Sequence, residues 1–332
     1  MLWGIAAAMR KFFALVIVLG VLIAGVVEWG LAGFSAPGPA ARHGSETVVL
    51  IKSGTGLRGI AQTLSDAGVL VRPALFAIGV RVNGKTPDLK AGEYAIPSRA
   101  SMREIMDILV AGKSIERKIT LAEGLTSQMV YDAVNANSQL VGEAGPVPPE
   151  GSLLPETYLF SRGQTRADLI AKMQESQRAL VDELWEKRAR DLPFTTKEEA
   201  IILASIVEKE TGIARERPHI ASVFVNRLRI GMRLQSDPTI IYGITKGYPI
   251  GRRIRQSEID RATPFNTYVI AGLPPEPICN PGKDALQAVF NPADTKDLYF
   301  VADGTGGHVF AANPDEQARN VAKWRRIHLR EH

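Results

Sequence analysis

Two glutamates one residue apart, Glu208 and Glu210, are the leading candidates for acid–base chemistry in this sequence. They close the apolar run 201–207, which has the length and spacing of a helix. At about 100° per residue, Glu210 shares a face with Leu203 and Val207, whereas Glu208 points to the opposite side. A carboxyl group in apolar surroundings resists ionisation because desolvation penalises its charged form. The phase therefore favours Glu210 as an acid that stays protonated near neutral pH and donates a proton.

The helix that would carry Glu210 has recognisable ends. Thr196 and Glu199 have the spacing of a capping box, and Gly212 is a natural helix stop. Glu210 is therefore expected in the last turn, at the edge of whatever the helix packs against. A salt-bridged glutamate at a helix end would give the same local pattern, so this segment alone leaves both interpretations open.

Polar residues after this helix are candidates for contacts with a substrate. Asn226 lies on the polar side of a predicted amphipathic helix. Asp237 followed by Pro238 is typical of a helix cap and a first helical residue, so Asp237 is either a cap or part of a site. Gln235 and Ser236 precede it on an extended segment and could donate or accept hydrogen bonds.

Two further segments combine polar and aromatic residues. The loop 155–158 contains Glu156 and Tyr158, and a carboxylate beside an aromatic ring suits the lining of a sugar cleft. The same loop could equally begin an ordinary strand. Asn266 and Tyr268 precede a stiff, proline-rich turn and are candidates of the same kind.

The composition narrows the class of protein. A hydrophobic content of 45% and a charged content of 23% over 332 residues describe a globular chain long enough for two domains. The net charge of +5 suits an anionic surface such as a membrane or an acidic polymer, but it is too dilute to indicate nucleic acid. The single cysteine, Cys279, has no partner, and the five histidines have no metal-ligand spacing, so we predict neither a metal nor a cofactor.

An apolar run from Phe12 to Leu31 is about as long as a membrane-spanning helix. Arg10 and Lys11 precede it, which predicts a cytoplasmic N-terminus and an exported remainder on the far side of the cytoplasmic (inner) membrane. A cleaved signal peptide, with the small residues 33–36 as processing site, is the competing interpretation. The length of the run favours a retained single-pass anchor.

The remaining chain predicts an α+β protein with four segments. Residues 1–34 form the cytoplasmic N-terminus and anchor, and the Pro/Gly-rich linker 35–45 is expected to let the exported part stand off the membrane. Residues 46–115 alternate strand and helix signals and resemble the LysM-like module of cell-wall proteins, although a plain structural module would look the same. Residues 116–332 form the larger mixed unit, with a long helix over 166–190 and a terminal hairpin.

Motifs in the larger unit, taken together, carry a specific resemblance to the YceG-like family of membrane-anchored endolytic murein transglycosylases. The resemblance extends over nearly everything from about residue 46 onward. The motifs are Val207-Glu-Lys-Glu-Thr211, Ala221-Ser-Val-Phe-Val-Asn-Arg-Leu228, Met232-Arg-Leu-Gln-Ser-Asp-Pro-Thr239, Asn266-Thr-Tyr268, Gly272-Leu-Pro-Pro275 and Leu298-Tyr-Phe-Val-Ala-Asp-Gly304.

This resemblance implies a LysM-like subdomain and a catalytic domain loosely related to lysozyme folds. It places the family's catalytic glutamate at Glu210, in agreement with the helical phase. It further implies cleavage of the MurNAc–GlcNAc bond inside nascent strands, 1,6-anhydro products, and a link to peptidoglycan synthases as a terminator of elongation. The expected substrate-binding residues are Glu156, Asn226, Gln235, Ser236, Asp237, Asn266 and Tyr268.

Two alternatives stay open. Glu156 or Asp237 could serve as the second carboxylate of a muramidase-type hydrolase, which usually needs two carboxyl groups at a defined separation. An anchored, non-catalytic scaffold that binds the wall near its synthases would also account for the anchor and the modest basicity.

Overall fold

The computed structural model describes the backbone of residues 2–328 and the side chains of residue 15 and residues 17–326. His328 and His332, two of the histidines considered above, lie outside the described side chains, as do the first residues of the predicted spanning run. The fold is a mixed α+β arrangement, as predicted. It divides into two compact units: a small unit made of the chain up to Arg117 with Leu159–Gln164, and a large unit made of Lys118–Tyr158 with the chain from Thr165 on.

The small unit follows the predicted order of elements. Strands β1 and β2 pair antiparallel, with Glu46 opposite Pro97 and Ile51 opposite Gly92. Ser101 and Glu104 form a capping box, in which the Ser101 hydroxyl and the Glu104 carboxylate each accept a hydrogen bond from the other residue's backbone N–H. The elements are α1 (Leu2–Ser35), β1 (Glu46–Ile51), α2 (Leu57–Asp66), α3 (Pro73–Val82), β2 (Gly92–Pro97) and α4 (Met102–Ala111).

Helix α1 contains one segment, Ile17–Ser35, that is long and apolar enough to cross a membrane by length and composition, a test that a signal sequence would also pass. Its last turn enters the core of the small unit. Phe34 is 3% exposed, packs against Gly79 and stacks on Phe76 with ring centroids 6.4 Å apart. The end of α1 is therefore part of the folded small unit.

The linker that follows α1 does not behave as the loose spacer expected from its composition. The Gly38 N–H donates to the Arg99 carbonyl, and the Arg99 N–H donates to the Pro39 carbonyl. The Ala41 N–H donates to the Ser98 hydroxyl. The physical reason is close backbone approach: a Cβ at Gly38 would come within 2.2 Å of the Ala100 carbonyl oxygen, so glycine allows this segment to pack.

The large unit is built mainly of helices around α7. A two-stranded sheet pairs β3 with β4, and the predicted terminal hairpin is confirmed as the antiparallel pair β5–β6. The long helix ends four residues earlier than predicted. From residue 116 onward, the elements of the chain are β3 (Glu116–Thr120), α5 (Ser127–Ala136), β4 (Thr157–Ser161), α6 (Arg166–Glu186), α7 (Lys197–Glu210), α8 (Arg217–Arg229), α9 (Asp237–Thr245), α10 (Gln256–Ile259), α11 (Lys283–Phe290), β5 (Tyr299–Ala302), β6 (His308–Ala311) and α12 (Pro314–His328).

Helix α7 begins at its predicted capping box and ends at Glu210, as expected, but it is buried on nearly every side. Ser205, on the face assigned to Glu208, is 0% exposed, and its backbone carbonyl accepts a hydrogen bond from the buried Cys279 thiol. The expected glycine stop is wrong in detail. Thr211 caps the helix in an extended conformation, and Gly212 does not adopt a left-handed one.

Candidate functional site

Glu210 lines a cleft of about 350 Å³ in the large unit. Four of its lining residues come from α7, α8 and the segment that leads into α9; the others come from the turn before residue 272, from β5 and from α12. The lining residues are Glu210, Arg227, Gln235, Asp237, Tyr268, Tyr299, Phe300 and Gln317. Of the seven polar positions that the sequence suggested beside Glu210, three line the cleft directly.

A buried serine, Ser236, forms a hydrogen bond with the Glu210 carboxyl. The Ser236 hydroxyl donates to Glu210 Oε1 at 2.5 Å, and Ser236 is 1% exposed. Burial is the largest influence on this carboxyl and raises the pKa of Glu210 to about 7, with the Asp237 charge adding to the rise. The Ser236 hydrogen bond and the His308 and Arg227 charges act in the opposite direction. A carboxyl group with this pKa is partly protonated at neutral pH.

Ser236 takes the place that the sequence suggested for Asp237. The structure begins α9 at Asp237 and makes Ser236 the N-cap residue, so the capping interpretation of Asp237 is wrong. The reason lies in hydrogen bonding: Ser236 makes no side-chain cap bond because its hydroxyl is directed at Glu210. The Asp237 carboxylate is exposed and accepts a hydrogen bond of 2.7 Å from the Tyr268 hydroxyl.

Gln235 has an unusual backbone conformation and is held against the turn that carries Tyr268. Gln235 has a φ of 50°, a left-handed conformation that is uncommon for a residue other than glycine and that stores strain at functional sites. Its N–H donates to the Thr267 carbonyl, and the Ser236 N–H donates to the Thr267 hydroxyl. The strained residue thus turns its side chain and that of Asp237 to the cleft while Ser236 points inward.

Arg227 also lines the cleft, although it was not among the residues predicted from the sequence. It is 6% exposed, and its guanidinium donates to the Leu298 and Leu234 carbonyls at 2.6 Å each. Its charge also lowers the pKa of Glu210. The motif that resembles the family contains this arginine, but periodicity gave no reason to separate it from the exposed Arg229 of the same helix.

Three more lining residues come from the C-terminal part of the chain. Tyr299 and Phe300 open β5, and the Tyr299 ring lies 5.6 Å from the Arg227 guanidinium. Gln317 donates from Nε2 to the Phe300 carbonyl, while its buried Oε1 has no hydrogen-bond partner within the described part of the chain. An unpaired buried acceptor at a cleft is suited to a ligand hydroxyl or amide.

The other sequence candidates do not line this cleft. The Asn266 amide is 1% exposed and donates to the carbonyls of Glu258, Ile259 and Arg261, so it holds the turn together. The Asn226 amide donates to two backbone carbonyls of the segment before β5. Glu156 is exposed before β4.

Glu208 has a structural position close to the end of α7. Its carboxylate, 5% exposed, pairs with Arg217 at 3.3 Å and accepts a hydrogen bond from the Gly282 N–H at 2.9 Å. Arg217 also pairs with Asp284 at 3.1 Å. This network, in which Glu208 and Arg217 are buried, fixes the last turn of α7, next to Glu210. Among the side chains that the structure describes, no group of three His, Cys, Asp or Glu residues is arranged to hold a metal ion.

The fold agrees with that of a known family. The model of the YceG-like family matches residues 49–323, and the chain belongs to that family. A crystal structure of a YceG-like protein from Listeria monocytogenes shares the fold with a TM-score of 0.50 and 26% sequence identity. That match covers 83% of this chain and 98% of the Listeria chain.

Relatives with an assigned activity are similar to most of the chain. A protein of Streptococcus pneumoniae named endolytic murein transglycosylase is 30% identical over 322 aligned positions, and the match covers 82% of this chain. A protein of Bacillus subtilis with the same name is 26% identical over 326 aligned positions, and the match covers 89% of each chain. The chain spans 57% of the length of the pneumococcal relatives that it matches.

Proposed function

We propose that this protein is a membrane-anchored lytic transglycosylase that cuts peptidoglycan glycan strands internally, with Glu210 as general acid and base. The observation that carries the proposal is the partly protonated Glu210 carboxyl in a cleft lined by aromatic and hydrogen-bonding side chains. The family and the names of its relatives supply the substrate class.

The proposed reaction needs one carboxyl group. Protonated Glu210 donates its proton to the oxygen that joins MurNAc C1 to the next GlcNAc, and the C1–O bond breaks as that sugar leaves with the proton. The Glu210 carboxylate then takes the proton from the C6 hydroxyl of the same MurNAc, and O6 bonds to C1. The products are a 1,6-anhydro-MurNAc end and a new GlcNAc end, and Glu210 is protonated again without consumption of water.

The cleft side chains divide into two roles in this proposal. Gln235, Asp237 and Tyr268 contact the sugars, and the unpaired Oε1 of Gln317 accepts a hydrogen bond from a substrate hydroxyl or N-acetyl N–H. Ser236 acts on the acid itself, because its hydroxyl orients Glu210 and favours the carboxylate form that must later act as base.

Asn266, Asn226 and Glu156 have no direct substrate contact in this scheme. Asn266 positions Tyr268, whose N–H donates to the Asn266 side-chain oxygen at 3.0 Å. Asn226 ties α8 to the segment before β5, which carries the aromatic side of the cleft. Glu156 is a candidate only for a more distant part of a long glycan strand, since it lies outside the cleft lining.

We further propose that α1 is retained as a single-pass anchor in the cytoplasmic membrane, with a cytoplasmic N-terminus and the large unit outside. The basic residues before the run support this orientation. Burial of Phe34 supports retention, because cleavage within residues 33–36 would remove an aromatic side chain from the small unit's core or cut beside it.

We also propose the boundaries of the two extracytoplasmic domains and a cellular role for the protein. Residues 46–115 form a LysM-like subdomain, supported by the order β1–α2–α3–β2 and by the antiparallel pairing of its strands. Residues 116–332, of which the last four lie outside the described structure, form the catalytic domain with a loosely lysozyme-like helical core. Action beside peptidoglycan synthases, as a terminator of strand elongation, rests on the family resemblance.

The mass of the products tests this function. Purified glycan strands are digested with the full-length protein in detergent, and the new ends are weighed. We expect MurNAc ends that are lighter by one water than ordinary reducing ends, and fragments from the interior of the strands. Reducing MurNAc ends would contradict the transglycosylase proposal. Full binding of strands with no cleavage would favour the scaffold alternative.

Asp237 gives a muramidase-type hydrolase as the second candidate. Its carboxylate lies in the same cleft as Glu210, where it could activate a water molecule. The Asp237→Asn variant separates the two reactions. A hydrolase would lose most of its activity, whereas a transglycosylase would still form anhydro ends with an altered pH profile.

A further inference from the structure

Helix α3 of the small unit carries an exposed apolar stripe. The stripe consists of Leu75, Ile78 and Val82, whose spacings of three and four residues place them on one face of α3, together with Val71, which lies two residues before the helix begins at Pro73. Val71 is 71% exposed, Ile78 is 56% exposed and Val82 is 77% exposed. Val71 and Val82 are thus at least as exposed as the side chains of the apolar segment of α1, where Val26 reaches 68%.

The stripe runs beside the end of the proposed anchor. The side chain of Leu75, within the stripe, packs so close to Gly33 in α1 that a Cβ added at Gly33 would lie 3.2 Å from it. On the neighbouring face of α3, Gly79 accommodates the buried Phe34 ring, which also stacks on Phe76. Helix α3 is therefore packed directly against the last turns of α1 in the same unit.

Trp29 sets the level of α3 relative to a membrane. It lies within Ile17–Ser35, the segment able to span a membrane, and is about 9 Å along the helix axis from Ser35. The guanidinium of Arg72, next to the stripe residue Val71, lies 5.1 Å from the Trp29 ring. If the segment spans a bilayer, the Arg72 guanidinium just before α3 lies at the depth of Trp29, and tryptophan and arginine side chains are typical of the head-group region.

Basic side chains border the same region. Arg103 donates to the Ser35 hydroxyl at 3.4 Å and lies 5.8 Å from the Phe34 ring. Arg81 lies on α3 between two residues of the stripe. An apolar face bordered by arginines is the pattern of a helix that lies in the interface of a membrane with anionic phospholipids.

We propose that the small unit lies on the outer leaflet of the membrane that holds α1, with Val71, Ile78 and Val82 inserted among the lipids and Arg72, Arg81 and Arg103 at the phosphates. This inference rests on the proposed anchoring of α1. The packed linker agrees with this position, because it holds the small unit close to the end of α1, so that the unit does not stand off from the lipid surface.

Fluorescence quenching by lipids tests this surface. The full-length protein is reconstituted in vesicles of phosphatidylethanolamine and phosphatidylglycerol with brominated acyl chains. Single cysteines carrying a fluorescent label replace Val71, Ile78 or Val82. The native Cys279 is 0% exposed, so the parent protein serves as the unlabelled blank. Leu22→Cys in α1 is the positive control, and Val48→Cys on β1, where the valine is 52% exposed, is the matched control in the same unit.

We expect at least twofold stronger quenching at positions 71, 78 and 82 than at position 48, together with quenching at position 22. If position 22 is quenched but positions 71 and 82 are quenched no more than position 48, the inference is overturned and the proposed anchor stands. Failure to quench position 22 would overturn both the inference and the proposed anchor.

A double variant gives a second test. Because the stripe is exposed, the Val71→Asp/Val82→Asp protein should fold, cut soluble strands as well as the parent does, and lose quenching at position 78. Undiminished quenching there would also contradict the proposal.

Discussion

At the scale of single residues, the site depends on a helix cap that does something other than capping. Ser236 occupies the N-cap position of α9, where a serine usually bonds the helix's own N–H groups. Its hydroxyl instead donates to Glu210, and the preceding Gln235 takes a strained left-handed conformation. Such departures from local rules are expected where function requires them. The pKa of Glu210 is set by this contact together with burial.

The pH dependence of cleavage should report Glu210. Because the carboxyl must be protonated to donate to the leaving oxygen, kcat/KM should fall as pH rises through about 7, the pKa to which burial raises Glu210. The measurement is the initial rate of strand cleavage at low substrate concentration between pH 5 and 9. An alkaline limb below about pH 5.5 would show that an ordinary exposed carboxyl controls the reaction.

Two neighbouring substitutions should move this limb in opposite directions. Ser236→Ala removes a hydrogen bond that lowers the pKa of Glu210, so the limb should shift to higher pH. Asp237→Asn removes a negative charge that raises this pKa, so the limb should shift to lower pH. Shifts of the same sign, or none, in the same pH series would refute the assignment of the limb to Glu210.

How far the sequence predicts the site depends on the type of signal. The helical phase separated the directions of Glu210, which lines the cleft, and Glu208, which pairs with Arg217, but it did not predict that α7 is buried on both sides. It could not single out Arg227, whose guanidinium is held by the carbonyl of Leu234 just after α8 and by that of the distant Leu298. Gln317 was missed for the same reason. Its unpaired oxygen is visible only once α12 is packed against β5.

At the scale of secondary structure, the position of Glu210 depends on how the end of α7 is fixed. Both capping boxes were predictable because they are local patterns of four residues. The helix stop was not, since Gly212 is bypassed and the end is fixed by tertiary contacts instead. The ion pair between Glu208 and Arg217 supplies one of these contacts, and it joins α7 to the start of α8.

Arg217→Met should therefore destabilise the protein strongly. It leaves Glu208, 5% exposed, without its cationic partner, and a buried unpaired charge costs about 3 kcal/mol of unfolding free energy. Lys187→Met is the control, because it removes an exposed ion pair with Glu183 that contributes about 0.5 kcal/mol or less. Urea unfolding in detergent measures both. Equal losses of stability would show that the Arg217 network does not hold the helix end.

At the scale of the whole molecule, the sequence predicted an anchor, a small unit and a larger one, and the chain does divide into two compact units. The packing of the linker was not predictable, because a Pro/Gly-rich segment can be either loose or closely packed. Which of the two occurs depends on whether a partner backbone approaches, as it does at Gly38.

Phe34→Ala tests whether the end of α1 belongs to the small unit's fold. Removing a phenyl ring from a site that is 3% exposed should cost about 3 kcal/mol and lower the hydrogen-exchange protection of α3 amides. Leu31→Ala, at a position 53% exposed on the same helix, should leave this protection unchanged. Unchanged protection in Phe34→Ala would mean that α1 merely touches the unit.

We propose that one carboxyl group, that of Glu210, carries out the cleavage of glycan strands. The most direct test is the rate of strand cleavage by Glu210→Gln, compared with Glu198→Gln, which changes an exposed glutamate in the first turn of the same helix. We expect Glu210→Gln to lose about a thousandfold in rate while its fold and strand binding are kept, and Glu198→Gln to match the parent. Retention of more than about a tenth of the parent rate by Glu210→Gln would contradict the account.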